Sequence, residues 1–400
     1  MAMTPEQIRT QAKAAFDYAV EARRHLHRHP ELSFQEKESS AYIEAELRKL
    51  GYEPQTGIGG FGIKAVLQGA KPGPTIALRA DIDALPITEE TGLDFASENP
   101  GVMHACGHDA HTAILLGTAK TLKDRAADLA GTVVFIFQPG EEKDPGGASL
   151  MIADGVLENP TVDHIFGIHV FPLFPTGLIG LGAGPRLAAP DEIRITIKGK
   201  GGHGAYPHLC IDPIMTAAQC ITLLQQIVAR NVGPFQQGVI TIGWIKGGSA
   251  GNVIPDEVTF GGTVRTMDPA LRKLMPQRIE AVVRGVCEAA GATYDFHYGN
   301  GYPPLVNSVK ETEEATKAAL WAFGPEQVTE MPATMGGEDF AFYLEKVPGT
   351  FIRLGSTTPG IQSAPGLHTS KLMIDERCIE TGIGYYLAVV ERYLGGLLDA

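Results

Sequence analysis

Four apolar runs do most to limit what this chain can fold into. GIKAVLQG (from Gly62), TIALRADID (from Thr75), TVVFIFQ (from Thr132) and HIFGIHV (from His164) lack the polar alternation of a half-wet strand. Runs of this length without alternation read as strands buried on both faces. A helical stretch, His111 to Lys123, separates the second from the third. Two further helical patterns precede them: Ile8, Ala12, Ala15, Phe16, Ala19 and Ala22, then Ile43, Leu47 and Leu50, closed by Gly51. Strands separated by helices predict an α/β domain with a mixed, mostly parallel sheet covered by helices.

The texture changes near residue 185. GAGPRLAAP has the composition of a linker, and the strand after it, DEIRITIKG, alternates cleanly. Then come a helix (Pro213 to Ala229), the strands GVITIGWIKG and EVTFGGTVRT, a helix (Pro269 to Ala290) and the strand TYDFHYG. The order β-α-β-β-α-β is that of a small ferredoxin-like α+β domain. After GNGYPP the first pattern resumes, with a helix over Thr312 to Phe323, the strand TFIRLGS and a terminal helix through Tyr386 and Leu394. The chain is therefore predicted to be a discontinuous domain, 1–186 and 302–400, interrupted by an inserted domain over 187–301.

Composition excludes several functions. Lys+Arg 33 against Asp+Glu 46 gives a net charge of −13, which argues against general affinity for nucleic acid or anionic membranes. No run approaches the ~18 apolar residues of a membrane span. The charged, amphipathic N-terminus lacks the apolar core of a secretion signal, so a cytoplasmic protein is expected. The five cysteines, Cys106, Cys210, Cys220, Cys287 and Cys378, are odd in number and widely spaced, unlike a disulfide framework. Four of them read as small buried apolar residues, and Cys106 does not.

MHACGHDAH, residues 103–111, packs His104, Cys106, His108, Asp109 and His111 around Gly107. A thiolate and imidazoles at this spacing suit a borderline-soft divalent ion. QPGEE, residues 138–142, sets Glu141 and Glu142 at the end of a buried strand, where open α/β sheets place active sites. A turn there lets one carboxylate bind metal while its neighbour acts as a general base. His169 ends another apolar strand, a place where core histidines are common, and His368 sits in the Pro/Gly-framed loop APGLHTSKL. GKGGHGAYPH contains a formal G-x-G-x-x-G, but Pro207 precedes any helix and no acidic residue follows about twenty residues on, so dinucleotide binding is rejected. His203 in that loop reads as a mobile polar contact for substrate. Asn252, in a glycine-rich turn, and Arg265, on the next strand, are an amide and a guanidinium able to bind a carboxylate, although a turn Asn and a surface Arg are commoner.

These motifs, with RRHLHRHPELSFQE, RADIDALPI, GNVIPDE and GGEDFAFY, stand in an order that resembles the aminoacylase/carboxypeptidase-G-type metallopeptidases over essentially the whole chain. The nearest resemblance is to the amidohydrolase branch that contains hippurate hydrolases and indole-acetyl-amino-acid hydrolases. The resemblance implies hydrolysis of N-acyl-amino acids, including aromatic conjugates such as hippurate, by a metal-activated water. It implies two divalent ions, zinc or manganese first and cobalt or nickel as alternatives, held by Cys106, His108, Glu142, His169 and His368, with Cys106 bridging. It implies Glu141 as general base, Asp83 as a supporting carboxylate, and His203 reaching the active site of a partner subunit to steady an oxyanion. Asn252 and Arg265 resemble contacts to the substrate's free carboxylate. Related carboxypeptidases carry an H-x-D motif where this chain reads RADID, so Asp81 replaces that His and His108 takes its place as ligand. A homo-oligomer, dimer or tetramer through the inserted domain, is the expected assembly. The competing readings are a dipeptidase or carboxypeptidase of the same superfamily, and a non-catalytic dimeric metal-binding protein.

Overall fold

The structure, a computed structural model, describes residues 2–357 and 365–396. Ala364, the first residue of the loop around His368, lies outside them. The chain divides into two compact units: Met1–Gly184 with Val306–Pro332 and Asp339–Ala400, and Pro185–Leu305 with Ala333–Glu338.

In the first unit the apolar runs form the middle of an eight-stranded sheet. Ala130–Gln138, Lys71–Asp81, His164–Pro175 and Gly349–Thr357 lie side by side and parallel. Gly62–Gln68 runs antiparallel beside Ala130–Gln138, and Ile179–Leu181 antiparallel beside Gly349–Thr357. The sheet is thus mixed and mostly parallel at its centre. Ile76, Leu78, Phe135, Phe137 and Phe166 are fully buried, as strands covered on both faces require. The helices Pro5–Arg28, His108–Lys123 and Arg377–Leu394 pack on one another and share that core. Pro5–Arg28 begins with a capping box: Thr4 Oγ1 accepts from Gln7 N, and Gln7 Oε1 accepts from Thr4 N. Lys37–Lys49 closes where Gly51 N donates to Arg48 O and Tyr52 N to Leu47 O, the paired bonds of a Schellman end.

The second unit is a four-stranded antiparallel sheet in the order Gly238–Gly247, Glu257–Thr266, Ala189–Lys198, Thr293–Gly299. Helices Pro213–Asn231 and Pro269–Ala290 cover its apolar face. Each opens with Pro at its first position behind an aspartate N-cap, Asp212 and Asp268. Along Ala189–Lys198, Ile193, Ile195 and Ile197 point into a core of their own, while Glu192, Arg194 and Lys198 stay in water. The ferredoxin-like β-α-β-β-α-β order is therefore present as expected.

Three local features differ from the sequence expectation. The third helix starts at His108, not His111, so half of the Cys/His motif is helical. His203 is not in a free loop: Gly202–His203 pairs with Val253–Ile254. Cys210 is only half-buried, its Sγ 3.6 Å from Tyr206 O, whereas Cys220, Cys287 and Cys378 are buried.

Candidate metal centre

The carboxyl ends of the parallel strands bring the chemistry together. Asp81 ends one strand and Asp83 follows it; Glu141 and Glu142 follow the end of the next; His169 lies on the third. The Cys/His motif enters beside them because Gly107, at φ 90°, turns the chain into the helix. A Cβ there would meet Val170, so only glycine lets the turn sit against the strand that carries His169. Cys106 precedes the turn, and His108 and His111 lie one helical turn apart on the same side.

The motif's five polar residues then separate by role. Asp109 faces away, accepting from Arg23 Nε at 3.0 Å and lying 2.8 Å from His27 Nδ1. Both His104 nitrogens are buried without a hydrogen bond, and burial pushes its pKa down to about 4, so the ring is neutral. Val170 N donates to His111 Nε2 at 2.8 Å, which puts the His111 proton on Nδ1, where it donates to Asp81 at 2.6 Å. Neither His111 nitrogen is left for a metal. Cys106 and His108 remain.

Two other histidines present Nε2 to the cluster by the same logic. His108 Nδ1 donates to Asp83 O at 3.0 Å, and its Nε2 is buried without a hydrogen-bond partner. His169 Nδ1 donates to Val170 O at 2.7 Å, with Nε2 3.4 Å from Cys106 Sγ. His368 Nε2 is 3.1 Å from Glu142 Oε1. Ligand atoms of Cys106, His108 and His169 form one group, all within 4.8 Å, and those of Cys106, Glu142 and His368 form another. Glu141 groups with His108 and Glu142. All five residues expected as ligands are thus drawn together, and Cys106 belongs to both triads.

The electrostatics fit a cation. Burial, reinforced by Glu142, Glu141 and Asp81, pushes the Cys106 thiol well above its usual range. At His108 burial opposes charge, but Asp81, Asp83 and Glu142 outweigh it and lift the pKa to about 10. Carboxylates crowd a thiol and an imidazole whose Nε2 makes no hydrogen bond, its nearest carboxylate oxygen, Asp81 Oδ2, standing 3.6 Å away. A divalent ion would satisfy these atoms and displace the protons they otherwise hold. His108 and His169 are each oriented through Nδ1 by an oxygen, as metal-ligating imidazoles are. Asp83 supports two elements at once. Burial opposes its charge, but bonds from His108, Ser33 (2.7 Å) and Glu142 N (3.0 Å) keep its pKa below the usual.

Beneath the cluster lies a buried network that the sequence did not reveal. Arg79 bonds Asp81 at 2.7 Å and Asp339 at 2.9 Å, and Gln138 bridges Arg79 to Asp339. Asp339 N in turn donates to Glu141 Oε1 at 3.4 Å. The spacing R-x-D on a buried strand was its only sequence signal.

In the second unit, pairing with Val253 holds His203 beside Asn252, where Gly204 N donates to Asn252 O at 2.8 Å. Arg265 is elsewhere. It pairs with Pro190 and Val239 near the far end of a strand whose first residue, Glu257, pairs with Lys198. Eight residues at roughly 3.3 Å each separate the two ends by about 26 Å. Asn252 lies five residues before Glu257, in the turn ahead of that strand, so the strand's length stands between Glu257 and Arg265.

A thiol, three imidazoles and paired carboxylates at the carboxyl end of a parallel sheet define a metal-dependent hydrolase. The comparisons agree. The sequence profile of Peptidase family M20/M25/M40 matches residues 77–392, and the chain belongs to that family, whose members cut amide bonds with metal. It is 46% identical over 305 residues to an N-acyl-L-amino acid amidohydrolase of Geobacillus stearothermophilus, covering 76% of this chain and 82% of that one. It is 45% identical over 338 residues to an N-acetyl-L-cysteine deacetylase of Bacillus subtilis, covering 84% and 79%. The crystal structure of the Bacillus subtilis YXEP protein, a dinuclear metal binding peptidase from the M20 family, superposes with a TM-score of 0.82 at 38% identity, over 94% of this chain and 98% of that chain.

Proposed function

We propose that this protein hydrolyses the amide bond of N-acyl-amino acids, releasing a carboxylic acid and an amino acid. Cys106, His108 and His169 would hold one divalent ion, and Cys106, Glu142 and His368 a second. The observation that carries this reading is that both triads share the Cys106 sulfur. When bound, the two ions supply Lewis acidity toward the amide carbonyl and toward water. Glu141 takes the proton of the attacking water and returns it to the departing amine. Asp83 keeps His108 in the tautomer that offers Nε2.

His203 completes the site from a second copy of the chain and donates to the oxyanion. A free carboxylate on the substrate is bound by Asn252 and Arg265, drawn from two copies. The surface that would join copies is the edge strand Gly238–Gly247, which exposes Val239, Trp244 and Ile245. The five unpaired cysteines suit the reducing cytoplasm. No helix among the described residues is long and apolar enough to cross a membrane.

The test is a hydrolysis panel on metal-depleted protein reloaded with zinc, manganese, cobalt or nickel. N-acetyl and N-benzoyl amino acids, hippurate among them, are expected to turn over faster than plain dipeptides. Faster dipeptide cleavage would instead support a dipeptidase. Glu141→Ala is expected to lower kcat on the order of 10²- to 10⁴-fold with metal content unchanged; an active variant sinks the assignment of the base.

A further inference from the structure

The motif HPELSFQE, residues 29–36, has no part in the chemistry above, yet it lies directly under it. Ala84 N donates to Glu31 O at 2.8 Å, which ties the segment to the strand end that carries Asp83. Ser33 donates to Asp83 Oδ2 at 2.7 Å. Phe34 stands at φ 64°, a left-handed backbone that costs a residue of this size of order 1–3 kcal/mol and persists only where the surroundings enforce it. Its ring lies against Gly140, itself at φ 62°, so closely that a Cβ on Gly140 would collide with the ring edge at Cε1 and Cζ. Glu36 joins these parts. One oxygen, Oε1, accepts from Phe34 N at 2.9 Å and from Gly140 N at 2.8 Å. The side chain is fully buried, and Oε2 has no hydrogen-bond partner.

We propose that Glu36 is a positioning residue, a strut that fixes the turn at Gly140 and so aims Glu141, while the bond from Glu142 N to Asp83 anchors Glu142 separately. The inference rests on the reading of Glu141 as general base. Its logic is geometric: the turn follows a rigid buried strand, but Glu141 is of use only if the backbone leaves that strand at one angle. Gly140 could take many angles. The Glu36 oxygen and the Phe34 ring select one, and the strained Phe34 backbone is held by the same oxygen. Length therefore matters more than charge. Burial raises the Glu36 pKa to about 7, with Asp83 adding to it, so a neutral acceptor of the same length is a fair substitute.

The experiment compares Glu36→Gln, Glu36→Asp and Glu36→Ala in the metal-loaded protein, measuring kcat, KM and bound metal. Gln keeps an oxygen at the right reach and should stay within about 3-fold of the parent. Asp keeps the charge but withdraws the oxygen by a methylene. Asp and Ala should lower kcat by about 10- to 100-fold, the scale of a ~1 Å misplacement, with KM and metal content unchanged. In the Glu141→Ala background the same substitutions should lower the residual rate no further. An active Asp with an inactive Gln, loss of metal in step with activity, or additive effects in the double variants would each overturn the proposal. If Glu36→Ala fails to fold, the Gln and Asp pair decides. If Glu141→Ala proves active, the assignment of the base falls by itself, and Gln against Asp still reports whether Glu36 governs kcat by its reach.

Discussion

At the residue scale, each imidazole near the cluster is sorted by what its other nitrogen touches. His108 and His169 each spend Nδ1 on an oxygen and keep Nε2 for the centre; His111 spends both. Sequence spacing alone could not make that division, because a His two or three positions from another looks the same whichever nitrogen is engaged. His27 gives the clearest pH dependence. Burial works against its charge, but hydrogen bonds to Asp109 and Glu89 prevail and raise its pKa from 6.5 to about 9. A group whose pKa rises on folding contributes all of its stability below the unfolded value and loses it as pH climbs through the folded one. The contribution is therefore intact below pH ~6.5 and fades as pH rises through ~9, up to about 3 kcal/mol. Urea unfolding of the parent between pH 6 and 10 should show that decline, and His27→Gln should flatten it. An equal slope in both would remove His27 as its source.

At the scale of elements, the decisive feature is the turn at Gly107. It starts a helix three residues earlier than apolar periodicity indicates, because His108, Asp109 and His111 are polar residues buried against polar partners and hide the helical pattern. The strands were legible for the opposite reason: Ile76, Leu78, Phe135 and Phe166 are buried on every side and read as unbroken apolar runs. Likewise, alternation at Ile193, Ile195 and Ile197 announced a sheet with one wet face. Apart from the R-x-D pair of Arg79 and Asp81, the Glu36 and Arg79 networks were not legible, since their other partners lie from 59 to 260 positions apart or are backbone groups without a sequence signature. Gly107→Ala should cost about 2–4 kcal/mol, part from a left-handed backbone and part from the clash with Val170. Adding Val170→Ala should return the steric part and leave the backbone part, with bound metal recovering in proportion. Urea unfolding with metal analysis reads both. Full recovery in the double variant would show that the backbone conformation at Gly107 carries no cost.

At the scale of the whole molecule, the ferredoxin-like sheet spreads its candidate residues along its strands. His203 and Asn252 lie beside each other ahead of Glu257, and Arg265 lies roughly 26 Å from Glu257 along the same strand. If the inserted unit contributes to catalysis as proposed, its two ends serve different active sites, and a dimer of two copies would be the smallest assembly in which both sites are complete. Two inactive variants test this. Glu141→Ala lacks the base, and His203→Ala lacks the donor lent to the partner. Unfolded together and refolded, equal amounts give half mixed dimers, in each of which one site is intact and the other doubly defective. About a quarter of the parent activity should return, although neither variant alone exceeds background. Charges on the exposed edge, Trp244→Glu with Ile245→Lys, should break the pairing and give monomers with bound metal but little turnover. Monomers with full activity, or a mixture no better than its parts, would return His203 to its own copy.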